Sequence, residues 1–274
     1  MERIGLCLSG GGARGPYQVG VAKALEERGF FARIYAFSGT SIGAVNAAFL
    51  AGSGLSETER MWMEMSDQDI RSTEGTFRRL LHENFRIAER GVYDISALRH
   101  VLETRLNLPV LRTQRVFVTI ARGGNQRDGI IGLMKSYYQH VFKKEQRVEY
   151  PFLPDYSDTE IVDRLMASCS IPIVFPPVRL DDINYYDGGV YDNVPVDPLV
   201  QCGCTTIIVA HLFKTQKVDP SRYPGVRFLQ IRHRSSLGGM LNFATDRVEA
   251  LIRFGYEDAM AQLEKLVSPS PNDK

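Results

Sequence analysis

The sequence predicts an α/β fold with a central, largely parallel β-sheet and helices on both faces. The apolar run Ile4–Leu8 precedes a glycine-rich turn, and residues 18–28 then carry apolar side chains at helical spacing. The same order recurs, with an apolar run at 34–37, a second glycine-containing turn and helix-favouring small residues at 41–51. Repeated strand, turn and helix is typical of right-handed parallel units, so these two units predict the sheet.

The rest of the chain extends this fold. A length of 274 residues, 44% of them hydrophobic, suits one large core that needs no disulfides. We therefore predict one domain over residues 1–267 and a disordered tail, rich in Ser and Pro, over 268–274. The further predicted elements are helices at 57–65, 77–88 and Ser96–Arg105, strands at 115–120, 205–212 and 226–231, and one long helix or a pair of helices at 241–266.

Composition excludes several classes of protein. The 33 basic and 32 acidic residues give a formal charge of +1, which provides no field for nucleic-acid phosphates. No apolar run reaches the ~18–20 residues of a membrane-spanning helix, and the amino terminus lacks the pattern of a signal peptide. We expect a cytoplasmic protein, with peripheral membrane association as an alternative. Cys202 and Cys204 lack the additional ligands of a zinc site, so no metal is predicted.

The first motif is Gly-Gly-Gly-Ala-Arg-Gly at positions 10–15, between the first strand and the first helix. It matches the G-x-G-x-x-G fingerprint of dinucleotide-binding folds. However, the acidic residue expected about 20 positions later is missing, and no Gly-Lys-Ser/Thr completes a phosphate loop. Main-chain N–H groups at a helix start bind anions in general, so the motif predicts a site for a phosphate or for a reaction oxyanion.

The second motif is Gly39-Thr40-Ser41-Ile42-Gly43, again between a strand and a helix. This G-x-S-x-G pattern is typical of a nucleophile elbow, in which a sharp turn exposes the serine hydroxyl at a helix amino terminus. An ordinary α/β-hydrolase is excluded, because only 38 residues precede Gly39 and several strands precede the serine in that fold. The five histidines are predicted to be structural, so the serine needs another base.

The third motif, Asp187-Gly188-Gly189, offers such a base. A carboxylate held by a glycine turn can take a proton from a hydroxyl directly, without an imidazole between them. Read alone, the same letters also fit an Asp-Gly hairpin turn between two short strands.

The three motifs in this order resemble those of the patatin-like phospholipases, and the resemblance covers nearly the whole chain. Three shorter segments share it: Ala-Ser-Cys-Ser-Ile-Pro at 167–172, Phe-Pro-Pro at 175–177 and Asn-Val-Pro at 193–195. The resemblance implies a three-layer α/β/α sandwich. It also implies hydrolysis of fatty-acyl esters of phospholipids or related lipids, as in phospholipase A or lysophospholipase, at a membrane surface and without a cofactor.

The resemblance also implies roles for individual residues. Ser41 would be the nucleophile and Asp187 its general base, a catalytic dyad without histidine. The amides of Gly11, Gly12 and Ala13 would form the oxyanion hole. Seven further residues would support these groups: Gly10, Arg14, Gly15, Gly39, Gly43, Gly188 and Gly189.

Several alternatives stay open. One alternative is a catalytically silent or ligand-regulated module that binds a lipid or another anion at the same glycine loop. Another is a nucleotide-dependent oxidoreductase that binds a dinucleotide at this loop. Residues 77–90 fit either a lid or a helix docked on the core. Residues 135–144, rich in Tyr and Lys, fit either insertion at an anionic lipid interface or a strand pair packed on the sheet.

Overall fold

The computed structural model describes residues 2–64, 96–123, 147–172, 174–240 and 245–267. The predicted helix at 77–88, the candidate lid at 77–90, the segment 135–144 and the tail at 268–274 lie outside the described residues.

A single sheet joins the eight strands of the described residues. In chain order they are β1 (Ile4–Leu8), β2 (Ile34–Thr40), β3 (Val116–Arg122), β4 (Val148–Glu149), β5 (Val178–Leu180), β6 (Ile183–Asp187), β7 (Thr206–His211) and β8 (Arg227–Arg232). The spatial order is β5-β6-β3-β2-β1-β7-β8, with β4 also paired to β3. The pairs from β3 to β8 along this order are parallel, whereas β4, β5 and β6 pair antiparallel. The prediction of a mostly parallel sheet is confirmed.

Eight α-helices accompany the sheet in the described part of the chain. They are α1 (Pro16–Glu27), α2 (Ile42–Gly52), α3 (Leu55–Glu64), α4 (Ser96–Arg105), α5 (Leu108–Leu111), α6 (Asp158–Cys169), α7 (Asp197–Gln201) and α8 (Thr245–Val267). The segment at 241–266, predicted as one helix or two, therefore contains one long helix from Thr245 onwards.

Side chains that alternate along the strands build a core on each face of the sheet. On β1, Leu6 and Leu8 pack into a large cluster with residues of α1, α2, α6 and α8. Cys7, between them, points to the opposite face and joins a smaller cluster with Leu199 of α7 and Val209 of β7. Helices therefore cover both faces, and the three-layer α/β/α sandwich is confirmed.

Several elements were not predicted from the sequence, among them the helix α6 and the hairpin β5–β6. The helix α6 packs on β3 and β6, and its start carries a capping box in which Ser157 and Glu160 satisfy each other's main-chain N–H groups. The hairpin β5–β6 turns at Asp181 and Asp182, which both have positive φ. Both elements lie next to the end of β6, where the third motif begins.

Candidate active site

Ser41 occupies a sharp turn between β2 and α2. Its φ and ψ angles are 56° and −129°, a strained combination for a residue with a side chain. The residue is 7% exposed, and its main-chain N–H donates to Ser168 Oγ at 2.9 Å. The turn places the Ser41 side chain at the amino terminus of α2, where the helix dipole favours negative charge.

The glycines of this motif are required by close approach. A Cβ atom at Gly39 would lie 2.2 Å from the Gly43 carbonyl oxygen. A Cβ atom at Gly43 would lie 2.2 Å from the carbonyl oxygen of Leu8, at the end of β1. Any side chain at either position would push the elbow away from the sheet.

Asp187 is the last residue of β6 and is 5% exposed. Its Oδ1 accepts a hydrogen bond from the Gly189 N–H at 2.7 Å, and its own N–H donates to the Ser170 carbonyl at 3.0 Å. A short 3-10 turn follows at Gly188–Val190. The alternative of a hairpin turn at this motif is therefore wrong, since the turn of the hairpin lies before β6.

The structure brings Ser41 and Asp187 together. The Ser41 side chain lies close enough to the Asp187 carboxyl group for its hydroxyl to lower the pKa of that group. Burial raises the pKa of Asp187 to about 6, although the Ser41 hydroxyl and the hydrogen bond from the Gly189 N–H both favour the carboxylate. The carboxyl group is therefore mostly ionised at neutral pH, yet it accepts a proton more readily than an exposed aspartate does.

Gly10 of the glycine loop lies next to Ser41 and next to Asn193, a residue that follows the turn after Asp187. A Cβ atom on Gly10 would lie 3.2 Å from the Ser41 Cβ. The Gly10 N–H donates to the Asn193 carbonyl at 3.3 Å, and Asn193 Nδ2 donates back to the Gly10 carbonyl at 3.2 Å. Asn193 Oδ1 would lie 2.7 Å from a Cβ on Gly189. Asn193 therefore joins the glycine loop to the turn that follows Asp187.

The three predicted oxyanion-hole amides differ in their partners. The N–H groups of Gly11 and Gly12 have no hydrogen-bond acceptor among the described residues. The Ala13 N–H donates to the Met240 carbonyl at 2.7 Å. The same oxygen lies 2.3 Å from the position of a Cβ on Gly12, whose φ is 57°. A main-chain carbonyl therefore occupies one end of the glycine loop.

Two arginines hold the segment that carries this carbonyl, residues 237–240. Arg14 Nε donates to the Gly238 carbonyl at 2.8 Å, and Arg247 Nη2 donates to the Leu237 carbonyl. The Arg14 guanidinium also lies over the Phe213 ring, 4.7 Å from its centroid. In this structure Arg14 holds the 237–240 segment over its own loop.

A buried polar network fixes the base of the glycine loop. Asn46 Nδ2 of α2 donates to the Gly15 carbonyl at 3.0 Å and to Gln18 Oε1 at 2.9 Å. Gln18 Nε2 of α1 donates to the Ser9 carbonyl at 2.8 Å, and Trp62 Nε1 of α3 donates to Asn46 Oδ1 at 2.8 Å. Three helices thus hold the two ends of the loop.

Two histidines in the described part of the chain make contacts of their own. His211 Nε2 lies 3.0 Å from Gln230 Oε1, and His233 Nδ1 lies 2.7 Å from the Ser235 carbonyl. All four cysteines are free thiols. The part of the chain that the structure describes contains no group of three metal-ligating side chains, and none of its helices has the length and hydropathy to cross a bilayer.

Sequence reasoning missed several groups that shape the site. Ser168 and Asn193 lie in segments that the sequence resemblance includes, but their contacts were not anticipated. Asn46 and Gln18 are polar residues on otherwise apolar helix faces, which is the signal that could have found them. Met240 carries no signal, because its main-chain carbonyl makes the contact.

Comparisons with known proteins bear on the family and on the fold of the chain. A family profile described as patatin-like phospholipase matches residues 6–200. The chain is 28% identical over 193 residues to "Probable lipid hydrolase 463L" of invertebrate iridescent virus 6. The matched region covers 70% of this chain and 61% of that protein. The chain is 26% identical over 284 residues to lysophospholipase NTE1 of Saccharomyces cerevisiae, in a match that covers 96% of this chain and 14% of that protein.

One solved structure shares the fold over most of its length. VipD from Legionella pneumophila superposes with a TM-score of 0.51 at 17% identity, covering 97% of this chain and 67% of that one. At this identity the likeness concerns the fold alone. The chain corresponds to less than two thirds of the length of either named relative above.

Proposed function

The chain belongs to the patatin-like phospholipase family, and from that premise we propose that it is a serine-dependent hydrolase of fatty-acyl esters in lipids. Lipid hydrolysis as a general activity agrees with the names of its relatives. The observation that supports the proposal most is the closeness of the Ser41 side chain, at the start of α2, to the buried Asp187 carboxyl group, whose pKa it lowers. A hydroxyl held against a carboxylate at a helix amino terminus is the arrangement that nucleophilic catalysis needs.

In the proposed reaction, Asp187 takes the proton of the Ser41 hydroxyl as the Ser41 oxygen attacks the ester carbonyl. The tetrahedral intermediate then collapses, and the proton on Asp187 passes to the departing alcohol. Water next loses a proton to Asp187 and attacks the acyl-serine. The fatty acid leaves, and the Ser41 oxygen recovers the proton.

The glycine loop would stabilise the negative oxygen of each tetrahedral intermediate. Gly11 and Gly12 supply N–H groups without an acceptor among the described residues. The Ala13 N–H would join them after its present acceptor, the Met240 carbonyl, moves away. Each such donor contributes about 10²–10³ in rate in comparable enzymes.

For the substrate we propose a phospholipid or lysophospholipid presented at a membrane surface. Its fatty-acyl ester would be the bond cleaved, and no metal or cofactor enters the reaction. Support comes from the relatives, one named a lipid hydrolase and one a lysophospholipase.

The test is mass spectrometry of mixed membrane lipids incubated with the wild type, Ser41→Ala and Asp187→Asn. The wild type should convert a class of acyl lipid into free fatty acid and the deacylated lipid. Both variants should lose more than about 10³-fold in rate while keeping their circular dichroism spectra. Lipid turnover by purified Ser41→Ala protein at the wild-type rate would end the proposal.

A second candidate is a lipid- or anion-binding module on the same fold that is silent or requires a ligand. The contact of the Met240 carbonyl with the Ala13 N–H favours it, because one predicted oxyanion donor is occupied. A silent module would bind lipid vesicles without releasing fatty acid, and a fluorophosphonate probe would leave Ser41 unmodified. A ligand-regulated enzyme would release fatty acid and react with the probe at Ser41 only after activation.

A further inference from the structure

Ser41 and Asp187 belong to strands that are not neighbours in the sheet. The strand β3 lies between β2, which ends before Ser41, and β6, which ends at Asp187. Adjacent strands are about 4.8 Å apart, so a direct contact between these two residues needs both strand ends to be held at defined positions. Sheet hydrogen bonds alone do not provide this, because the pairing of β2 with β3 ends one residue before Ser41 and Asp187 is the last paired residue of β6.

The carboxyl end of α6 contacts both residues through their main-chain N–H groups. Ser168 Oγ accepts the Ser41 N–H at 2.9 Å. Two residues later, the Ser170 carbonyl accepts the Asp187 N–H at 3.0 Å. A single short segment of chain therefore sets where both residues sit.

The direction of the Ser168 hydroxyl is fixed by a second bond. Ser168 Oγ donates to the Thr119 carbonyl of β3 at 2.8 Å. A carbonyl can only accept, so the one hydroxyl proton points to Thr119 and a lone pair faces the Ser41 N–H. Ser168 is fully buried, and no other acceptor for this N–H is present among the described residues.

We propose that Ser168 is a positioning residue, whose hydroxyl holds the strained Ser41 turn on β3 so that the Ser41 side chain faces Asp187. The Ser170 carbonyl holds the other partner from the same helix end. This inference rests on the proposed function of Ser41 and Asp187. It adds that α6 sets the spacing between them.

The experiment compares Ser168→Ala with Ser38→Ala. Ser38 is also fully buried, and its hydroxyl also donates to a carbonyl, that of Pro195. Both variants lose a buried hydrogen bond to a carbonyl, but Ser168→Ala should lose more stability because it also leaves the Ser41 N–H without its acceptor. Only Ser168→Ala should lose about 10- to 100-fold in kcat with KM changed less than about threefold, since a shift of the nucleophile by about 1 Å has that cost.

The pH profile separates positioning from mere stability. The nearby Ser41 hydroxyl lowers the pKa of Asp187, so a Ser41 side chain displaced in Ser168→Ala should move the acid limb of the pH profile to higher pH, while Ser38→Ala leaves that limb unchanged. Cys169, whose pKa is raised by burial and by Asp187, stays a neutral thiol throughout this range. Equal kcat and equal limbs in the two variants would overturn the proposal.

A measurement without substrate covers the case in which Ser168→Ala does not fold. In the wild type, NMR hydrogen exchange should show a strongly protected Ser41 amide, and free exchange of that amide would overturn the proposal. A wild type that neither hydrolyses lipids nor reacts with a fluorophosphonate, but protects the amide, would contradict the proposed function and leave this contact standing.

Discussion

The Ser41 side chain lies beside the Asp187 carboxyl group and lowers its pKa, although β3 separates their own two strands in the sheet. Both residues are almost fully buried. The pair is far apart in sequence and is assembled by the end of α6, which holds each main-chain N–H. Several measurable consequences come from the burial of this carboxylate and from the contacts around it.

The first prediction concerns the pH dependence of activity. A general base must be ionised, and burial raises the pKa of Asp187 to about 6. The value of kcat/KM should therefore be constant above neutral pH and fall about tenfold per pH unit well below pH 6. A pH series with a soluble ester measures this limb. An acid limb near pH 4, the ordinary range of an aspartate, would contradict it.

The second prediction concerns stability. Because the folded-state pKa of Asp187 lies above the unfolded value of 3.8, the folded protein binds this proton more tightly. Its stabilising effect is complete below pH 3.8 and is lost as pH rises through about 6. Asp187→Asn removes that loss. At pH 7 its free energy of unfolding should therefore be up to about 3 kcal/mol higher than that of the wild type.

Denaturant titrations at several pH values measure this difference. Ser41→Ala serves as the control, because it keeps the buried carboxylate and so remains pH-dependent, with the midpoint moved to higher pH by the loss of the hydroxyl that lowers the pKa of Asp187. The gain of Asp187→Asn over the wild type should shrink as the pH falls from 7 to 4. A gain that is independent of pH would mean that the carboxylate is not responsible.

The third prediction concerns the 237–240 segment over the glycine loop. Gly238 has a φ of 73°, and a Cβ there would lie 2.4 Å from Arg247 Nη2, so Gly238→Ala should loosen the segment. An alanine at this φ destabilises the present position of the segment by about 1 kcal/mol. This shifts the equilibrium about fivefold toward a state in which the Ala13 N–H no longer binds the Met240 carbonyl. Fluorophosphonate labelling of Ser41 should accelerate by about that factor.

Gly225→Ala is the matched control for this variant. Gly225 has a φ of 81°, and a Cβ there meets nothing within 4 Å. It should therefore lose similar stability with an unchanged labelling rate. Equal rates for Gly238→Ala, Gly225→Ala and the wild type would show that the Met240 carbonyl does not limit access to the loop.

Local sequence patterns predicted the strands of the parallel core well. Ile4–Leu8 has the same bounds in the structure as in the apolar run, because every residue of this central strand is buried. The strand β5 was not predicted, because a strand of three residues is too short to show an alternation of apolar and polar side chains. The helix α6 was not predicted, although Ser157 and Glu160 have the spacing of a capping box.

The candidate site divides in the same way. Glycine motifs mark Ser41 and Asp187 because each needs a tight turn that few other sequences allow. The contacts that orient them are not local: Ser168 lies 127 positions from Ser41 in the sequence. The contact of Met240 with Ala13 uses main-chain atoms, which leave no trace in residue type. Tertiary packing alone reveals such partners.

The most direct test of the central claim is to map where a fluorophosphonate probe attaches. Wild-type protein should carry one adduct, on Ser41, and Asp187→Asn should react at least about 100-fold more slowly because the hydroxyl has lost its base. An adduct on another residue, or equal labelling of Ser41 in both proteins, would contradict a nucleophile activated by Asp187.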